Sequence, residues 1–211
     1  MRPLVWLLAK PKVSGGGKLA AEAPMLIVAN HITAFDAPLI EYALPGSVRR
    51  KMAVAMSGEM LEDFRHFRNP DRPDGGFYPQ GPLYYLLVTA FFNVFPLHKQ
   101  RDFQRGFEHA GAALDRGMNV LVFPEGIRSP EGRLARFRPG IGLLARQADA
   151  AVLPIALCGL AELKTRQRGW FRSGMIELRI GKPIRFGPEE SETAITAKLQ
   201  VAVERLMRTG E

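Results

Sequence analysis

Short apolar runs that end abruptly in polar turns recur along the chain. Met25–Ala29 is apolar throughout and breaks into Asn30-His31. Such a run bounded by turn residues is the mark of a strand covered on both faces. Lys51–Met56, Asn119–Phe123 and Val152–Leu157 repeat the pattern, and Met175–Ile180 alternates like a strand with one wet face. Between them the apolar period lengthens to that of a helix. Asp36–Leu44 accepts Pro38 in its first turn and stops at Pro45-Gly46. Glu59–Phe67 is a shorter helical stretch. Asp102–Arg116 carries Phe103, Phe107, Ala110 and Leu114 on one face, with Gly117 as its stop. A helix opens at Pro139-Gly140 and runs through Gln147. Pro188–Met207 closes the chain, with Ile195, Leu199, Ala202 and Leu206 as its buried stripe. Strands alternating with helices predict an α/β domain: a mixed, mostly parallel central sheet flanked by helices.

Four stretches are less regular. Pro154 inside the strand Val152–Leu157 predicts an edge strand or a bulge, because proline cannot donate to an interior ladder. Ser14-Gly15-Gly16-Gly17 reads as a connector, a turn or the tip of a hairpin. Pro82–Phe92 is apolar all round, with Leu83, Leu86, Leu87, Ala90 and Phe91 on one broad face. Such a helix is either buried or turned toward lipid. Leu4–Leu8, beside Arg2 and Lys10, is either a first core helix or an interfacial anchor with Trp6 at the headgroup level. Residues 1–20 are therefore set apart as a candidate anchor helix and linker within a single domain of 1–211.

Charge narrows the partners. The 211 residues carry a formal charge of +8. The basic residues are spread rather than blocked, and no nucleic-acid-binding motif accompanies them. An anionic membrane surface suits them better than nucleic acid. Lys164–Arg172, with Trp170 and Phe171 embedded, fits such an interface. No secretory signal is recognised, and no uninterrupted apolar run reaches the length of a membrane span; Leu83–Leu97 is broken by Thr89, Asn93 and Pro96. A membrane-facing surface on a peripheral protein of the cytoplasmic face is the expectation. Cys158, the single cysteine, lies in an apolar run and reads as a small buried hydrophobe.

Two strand ends carry chemistry. After Val28-Ala29 come Asn30 and His31, and Asp36 follows five residues later. Imidazole moves protons near neutral pH, and a carboxylate folded back against one ring nitrogen fixes the tautomer and stabilises the imidazolium. His31 reads as a general base and Asp36 as its orienter; a plain turn hydrogen bond is the alternative. No Ser or Cys sits in a nucleophile elbow, so the nucleophile would belong to a substrate. The second strand end is Phe123-Pro124-Glu125-Gly126-Ile127-Arg128-Ser129. His66 has no metal-ligand companion at a recognisable spacing, and neither metal nor bound cofactor is called for.

These two stretches together resemble the glycerolipid acyltransferase superfamily, whose type member is lysophosphatidic acid acyltransferase. Its first motif is His, four residues, Asp, as in His31 and Asp36. Its third reads Phe-Pro-Glu-Gly-Thr-Arg-Ser, as in Phe123–Ser129 with Ile127 in the Thr position. Order and a separation of about ninety residues match. The likeness runs from about Leu26 to Ile184, and Phe137-Arg138-Pro139-Gly140 follows the third motif as in the family.

The resemblance implies acyl transfer from a thioester of coenzyme A or acyl carrier protein to a lysophospholipid hydroxyl, with 1-acylglycerol-3-phosphate as first choice. It implies substrate-binding roles for Lys99, Glu125, Gly126, Arg128, Ser129 and Pro154. Backbone N–H groups near Gly126 would meet the oxyanion, and Arg128 would hold phosphate. Glu125 belongs to the acceptor site by resemblance, and by its chemistry it could equally orient Arg128. Lys99 stands where the family's second motif has Arg, and it supplies charge without a bidentate fork. Arg133, Arg136 and Arg138 are either phosphate contacts or a solvated basic loop. Another lipid acceptor, such as an ornithine lipid, and a non-catalytic basic membrane-binding domain are the alternatives.

Overall fold

The computed structural model describes residues 5–7, 10–17, 19, 24–68, 77–97, 103–129, 131–165 and 176–209. Lys99, the loop 69–76 and most of the basic stretch 164–172 lie outside the described residues, as does much of the candidate anchor 1–20.

The hydrophobic runs become seven strands: β1 Lys12–Gly15, β2 Met25–Ala29, β3 Met52–Ser57, β4 Asn93–Leu97, β5 Asn119–Val122, β6 Ala151–Cys158 and β7 Glu177–Ile180. They form one sheet in the order β1-β7-β6-β2-β5-β3-β4. Every pairing is parallel except β6 with β7. Among the described residues these helices accompany them: α1 Asp36–Ala43, α2 Gly46–Arg49, α3 Gly58–Arg65, α4 Gly81–Phe91, α5 Phe103–Asp115, α6 Gly140–Gln147, α7 Leu160–Thr165 and α8 Glu192–Thr209.

The all-apolar strands follow from their position. β2 is fourth in the sheet and covered on both faces, so all five of its residues are buried. Met25, Ile27 and Ala29 meet Leu39, Ile40, Leu44 and Val48 of α1 and α2 and their connection on one face. Leu26 and Val28 meet Ala110, Ile141, Leu144, Ile195, Leu199 and Val203 of α5, α6 and α8 on the other. Each such Leu or Ile contributes roughly 1.5–3 kcal/mol by leaving water.

Two buried asparagines lock the central strands at opposite ends. Asn119 Oδ1 accepts from the Met25 N–H at 2.9 Å, and its Nδ2 donates to the Val48 carbonyl at 2.9 Å. Asn30 Nδ2 donates to the Leu157 carbonyl at 3.0 Å, and its Oδ1 accepts from the Leu157 N–H at 2.8 Å. Each side chain continues a ladder that the backbone no longer supplies.

Three expectations change here. Lys12–Gly15 is an edge strand parallel to β7, so Ser14–Gly17 is no hairpin tip. Gly15 is needed there: its φ is +82°, and a Cβ would sit 2.0 Å from the Ile180 carbonyl oxygen. Asn93–Leu97, read only as an interrupted apolar run, is the other edge strand, which tolerates Pro96. β6 is interior, and Pro154 marks the bulge rather than an edge. From the pair Ile155/Ile180 to the pair Val152/Ile184, β6 advances three residues and its partner four.

Candidate active site

The C-terminal ends of parallel strands β2 and β5 lie side by side, with Val28 paired to Val122. Both chemical motifs leave the sheet at this edge, the usual place for a site in an open α/β fold.

Beyond β2 the chain turns into α1, and Asp36 is that helix's first residue. It is fully buried yet well supplied with donors. Its oxygens accept from the Ile32 N–H, the Thr33 N–H at 3.0 Å and the Thr33 Oγ1 hydroxyl at 2.7 Å. A carboxylate at a helix N-terminus is also favoured by the helix dipole. His31 Nδ1 lies 2.8 Å from Asp36 Oδ2. An ionised carboxylate only accepts, so Nδ1 carries the hydrogen and Nε2 is left as the basic nitrogen. The imidazole is 22% exposed and stacks on Phe123, with centroids 4.3 Å apart and planes 20° from parallel.

Glu125 ties the second motif to the first. At 3% exposure its carboxylate faces inward. Oε1 accepts from the His31 N–H at 2.7 Å; Oε2 accepts from Ser129 Oγ at 2.8 Å and from the Ala135 N–H at 2.7 Å. The return bond runs from the Ser129 N–H to the His31 carbonyl at 2.7 Å. A buried carboxylate is tolerable only with such a set of donors.

Gly126 makes the turn possible. Its φ is +66°, and a Cβ would meet Arg138 Nε at 2.4 Å. Its own N–H donates to the Phe123 carbonyl at 3.1 Å, closing the turn. Arg138 therefore covers the glycine, and its Nε donates to the Glu125 carbonyl at 3.4 Å. Arg128 is half-buried, with Nη2 3.3 Å from Met60 Sδ of α3.

Of the predicted site residues, His31, Asp36, Glu125, Gly126, Arg128 and Ser129 are brought to one edge of the sheet. Pro154 is not. It pairs with Val28, three residues short of His31, roughly 10 Å down the strand, and is buried. Its place is in the sheet's register rather than at the mouth. Sequence reasoning missed Phe123 as the platform under the imidazole and Asn30 as the clamp holding the end of β6. Thr33, three residues before Asp36, carried the one local signal, that of a hydroxyl bonding within its own turn.

Elsewhere, burial pushes the Cys158 thiol up, against the opposing pull of Arg179. Among the described residues no group of three His, Cys, Asp or Glu side chains is placed to hold a metal ion.

A family model described as Acyltransferase matches residues 74–158, a span that holds the second strand end. The 1-acyl-sn-glycerol-3-phosphate acyltransferase LPAT1 of Arabidopsis thaliana chloroplasts is 39% identical over 72 residues, 34% of this chain and 20% of that protein. The human 1-acyl-sn-glycerol-3-phosphate acyltransferase alpha is 31% identical over 77 residues, 36% of this chain and 27% of that protein. The coconut (Cocos nucifera) 1-acyl-sn-glycerol-3-phosphate acyltransferase aligns over 193 residues at 25% identity, 90% of this chain and 55% of that protein. Over these spans the chain is similar to acyltransferases.

It spans about a fifth of the length of the first of these curated relatives. Its fold is shared with the crystal structure of the 1-acyl-sn-glycerophosphate (LPA) acyltransferase PlsC from Thermotoga maritima, at a TM-score of 0.67. That match covers 97% of this chain and 73% of the other at 24% identity, and it is a likeness of fold. The mostly parallel sheet expected from the strand–helix alternation is the sheet of this chain, and its fold is that of the matched structure.

Proposed function

We propose that the chain moves a fatty acyl group from a thioester to the hydroxyl of a lysophospholipid, with 1-acylglycerol-3-phosphate as acceptor and phosphatidic acid as product. One observation carries this reading: a partly buried imidazole whose Nδ1 is held 2.8 Å from a buried carboxylate, leaving Nε2 basic at the sheet edge. The acyltransferase relatives support the choice of chemistry, and their activity on 1-acyl-sn-glycerol-3-phosphate, as their names state it, supports the choice of acceptor.

In this reading His31 Nε2 takes the proton of the acceptor hydroxyl while Asp36 stabilises the resulting imidazolium. The hydroxyl oxygen attacks the thioester carbonyl carbon. The carbon–sulfur bond breaks, and the imidazolium proton passes to the leaving thiolate, giving free thiol and ester. Charge on the carbonyl oxygen in between requires donors. Gly126's own N–H is committed to Phe123, so those donors belong to the backbone that follows it. Arg128 holds the acceptor's phosphate, a role the resemblance extends to Lys99, and so places its hydroxyl against His31. The donor carrier is coenzyme A or acyl carrier protein, and the protein works at the cytoplasmic face of a membrane.

A second reading keeps the chemistry and changes the acceptor. Ile127 is half exposed in the family motif's Thr position. An apolar group there favours a different hydroxylated lipid.

The test is acyl transfer from labelled acyl-CoA, then acyl carrier protein, to a panel of lysolipids, wild type against His31→Ala. Transfer to lysophosphatidic acid that disappears in the variant is expected. Transfer to another lysolipid alone selects the second reading. No transfer with either donor overturns both and favours a non-catalytic membrane-binding domain.

A further inference from the structure

Phe123 follows β5 directly, and the His31 ring rests on it. Strand alternation explains the meeting. Ile27 and Ala29 of β2 and Leu121 of β5 project to the face covered by α1. Phe123, two residues past Leu121, packs against the same core cluster. His31, two residues past Ala29, reaches over it from the neighbouring strand. The two rings stack with centroids 4.3 Å apart and planes 20° from parallel.

The hydrogen bonds of His31 fix its backbone and one corner of its ring. The N–H is held by Glu125, the carbonyl by the Ser129 N–H, and Nδ1 by Asp36 Oδ2 at 2.8 Å. The bond at Nδ1 does not set the plane of the imidazole, because a hydrogen bond tolerates a bend of about 30°. A tilt of that size about Nδ1 carries Nε2 roughly 1 Å, and a misplacement of about 1 Å is enough to cost on the order of 10²-fold in rate. A flat ring at stacking distance removes the tilt.

Phe123 is itself fastened. Its carbonyl accepts from the Gly126 N–H at 3.1 Å, and the carbonyl of buried Pro124 accepts from the Arg138 N–H at 2.9 Å. The ring therefore stands on a closed turn. Its chemistry suits the place as well. A phenyl ring has no donor or acceptor to compete for Nε2. Its negative face favours imidazolium over the neutral ring, so the attraction grows as a proton arrives.

We propose that Phe123 is a positioning residue for His31: its ring face sets the plane of the imidazole, and with it the direction of Nε2, while Asp36 sets the tautomer. That this direction matters for a proton transfer rests on the acyl-transfer reading; the fixing of the ring does not.

The test follows the ring and the turnover separately. Nuclear magnetic relaxation of the His31 ring is measured in histidine-labelled wild type, Phe123→Leu and Phe123→Tyr, with His31→Ala assigning the signal among four histidines. Leu keeps an apolar side chain without a flat face, and Tyr keeps the face. Thermal unfolding checks that each variant is folded; should Phe123→Leu fail to fold, Phe123→Met, flexible and apolar, takes its place. The ring is expected to loosen in Phe123→Leu and to stay rigid in Phe123→Tyr. With a short-chain, fully dissolved lysolipid, kcat should fall roughly tenfold to a hundredfold in Phe123→Leu at unchanged KM, and Phe123→Tyr should largely restore it. A ring as rigid in the folded Leu variant as in wild type overturns the proposal. So does wild-type kcat in that variant, or a loss in Phe123→Tyr equal to that in Phe123→Leu. A raised KM at unchanged kcat overturns it too, and makes Phe123 a substrate contact. If wild type turns over no lysolipid while the ring still loosens in Phe123→Leu, the acyl-transfer reading falls and the fixing of His31 stands.

Discussion

The backbone N–H of His31 donates to Glu125 Oε1 at 2.7 Å, across 94 residues of sequence. The two motifs are thus one hydrogen-bonded unit, and Glu125 sets where the base stands. Glu125→Gln keeps an acceptor oxygen but turns an amide NH2 toward a donor. A loss of about 1–3 kcal/mol in stability is expected, read as a lower Tm, together with reduced kcat. KM for the acceptor lipid should hardly move. A rise in KM with unchanged Tm would make Glu125 an acceptor contact instead.

Asp36→Asn should keep the Thr33 bonds to Oδ1, while an NH2 in the Oδ2 position loses the Ile32 N–H. Its amide would present the wrong partner to His31 Nδ1. We expect kcat to fall roughly 10³–10⁴-fold with little change in KM. Steady-state kinetics with a soluble acceptor would measure it.

Gly126→Ala meets two obstacles, a φ of +66° and the Arg138 side chain at 2.4 Å. A cost of about 1–3 kcal/mol is expected from the backbone alone, with more from the clash. Arg138→Ala in the same chain should recover the second part and not the first. Thermal unfolding of the two single variants and the double variant gives the coupling directly.

Acid sensitivity should concentrate at the β1–β7 edge. The Arg179 guanidinium, and then the Lys12 ammonium, hold the Glu177 carboxyl below the usual carboxylate range. A carboxylate whose pKa is lowered by folding stabilises the fold above the unfolded value, about 4.3. That stabilisation is lost as pH falls through the lower folded-state value. The difference in Tm between wild type and Glu177→Gln should therefore be constant above about pH 5 and shrink in stronger acid. A difference that grows in acid would contradict this. Arg179 also donates to the Leu206 and Met207 carbonyls near the end of α8, so its loss should cost more than that of Glu177.

The parts of this architecture that were legible in the sequence share a cause. β2, β5 and β6 are buried on both faces, and that leaves an unbroken apolar run. β1 and β4 are edge strands: one is mostly exposed and ends in the first of three glycines, the other contains Pro96, and neither keeps a clean pattern. His31 and Asp36 were legible because they sit in one turn. Glu125's bond to His31, Asn30's grip on Leu157 and Phe123's place under the imidazole join distant segments, and no local period encodes them. α4 shows the limit from the other direction. Its composition spoke for a core or a membrane, and only the packing of its opposite face on α3 and β4 shows that the stripe points outward.

The site is anchored on the least yielding part of the molecule. β2 and β5 lie at the middle of the seven-stranded order, and the Ser129 N–H is bonded to His31 at their joint edge. Hydrogen exchange at those amides requires opening the centre of the sheet, so their protons should be among the last to leave, at rates set by global unfolding. On the acyl-transfer reading, whatever flexibility admits a long-chain lipid must then come from the surrounding helices and loops, with His31 and Asp36 as the fixed point against which they move.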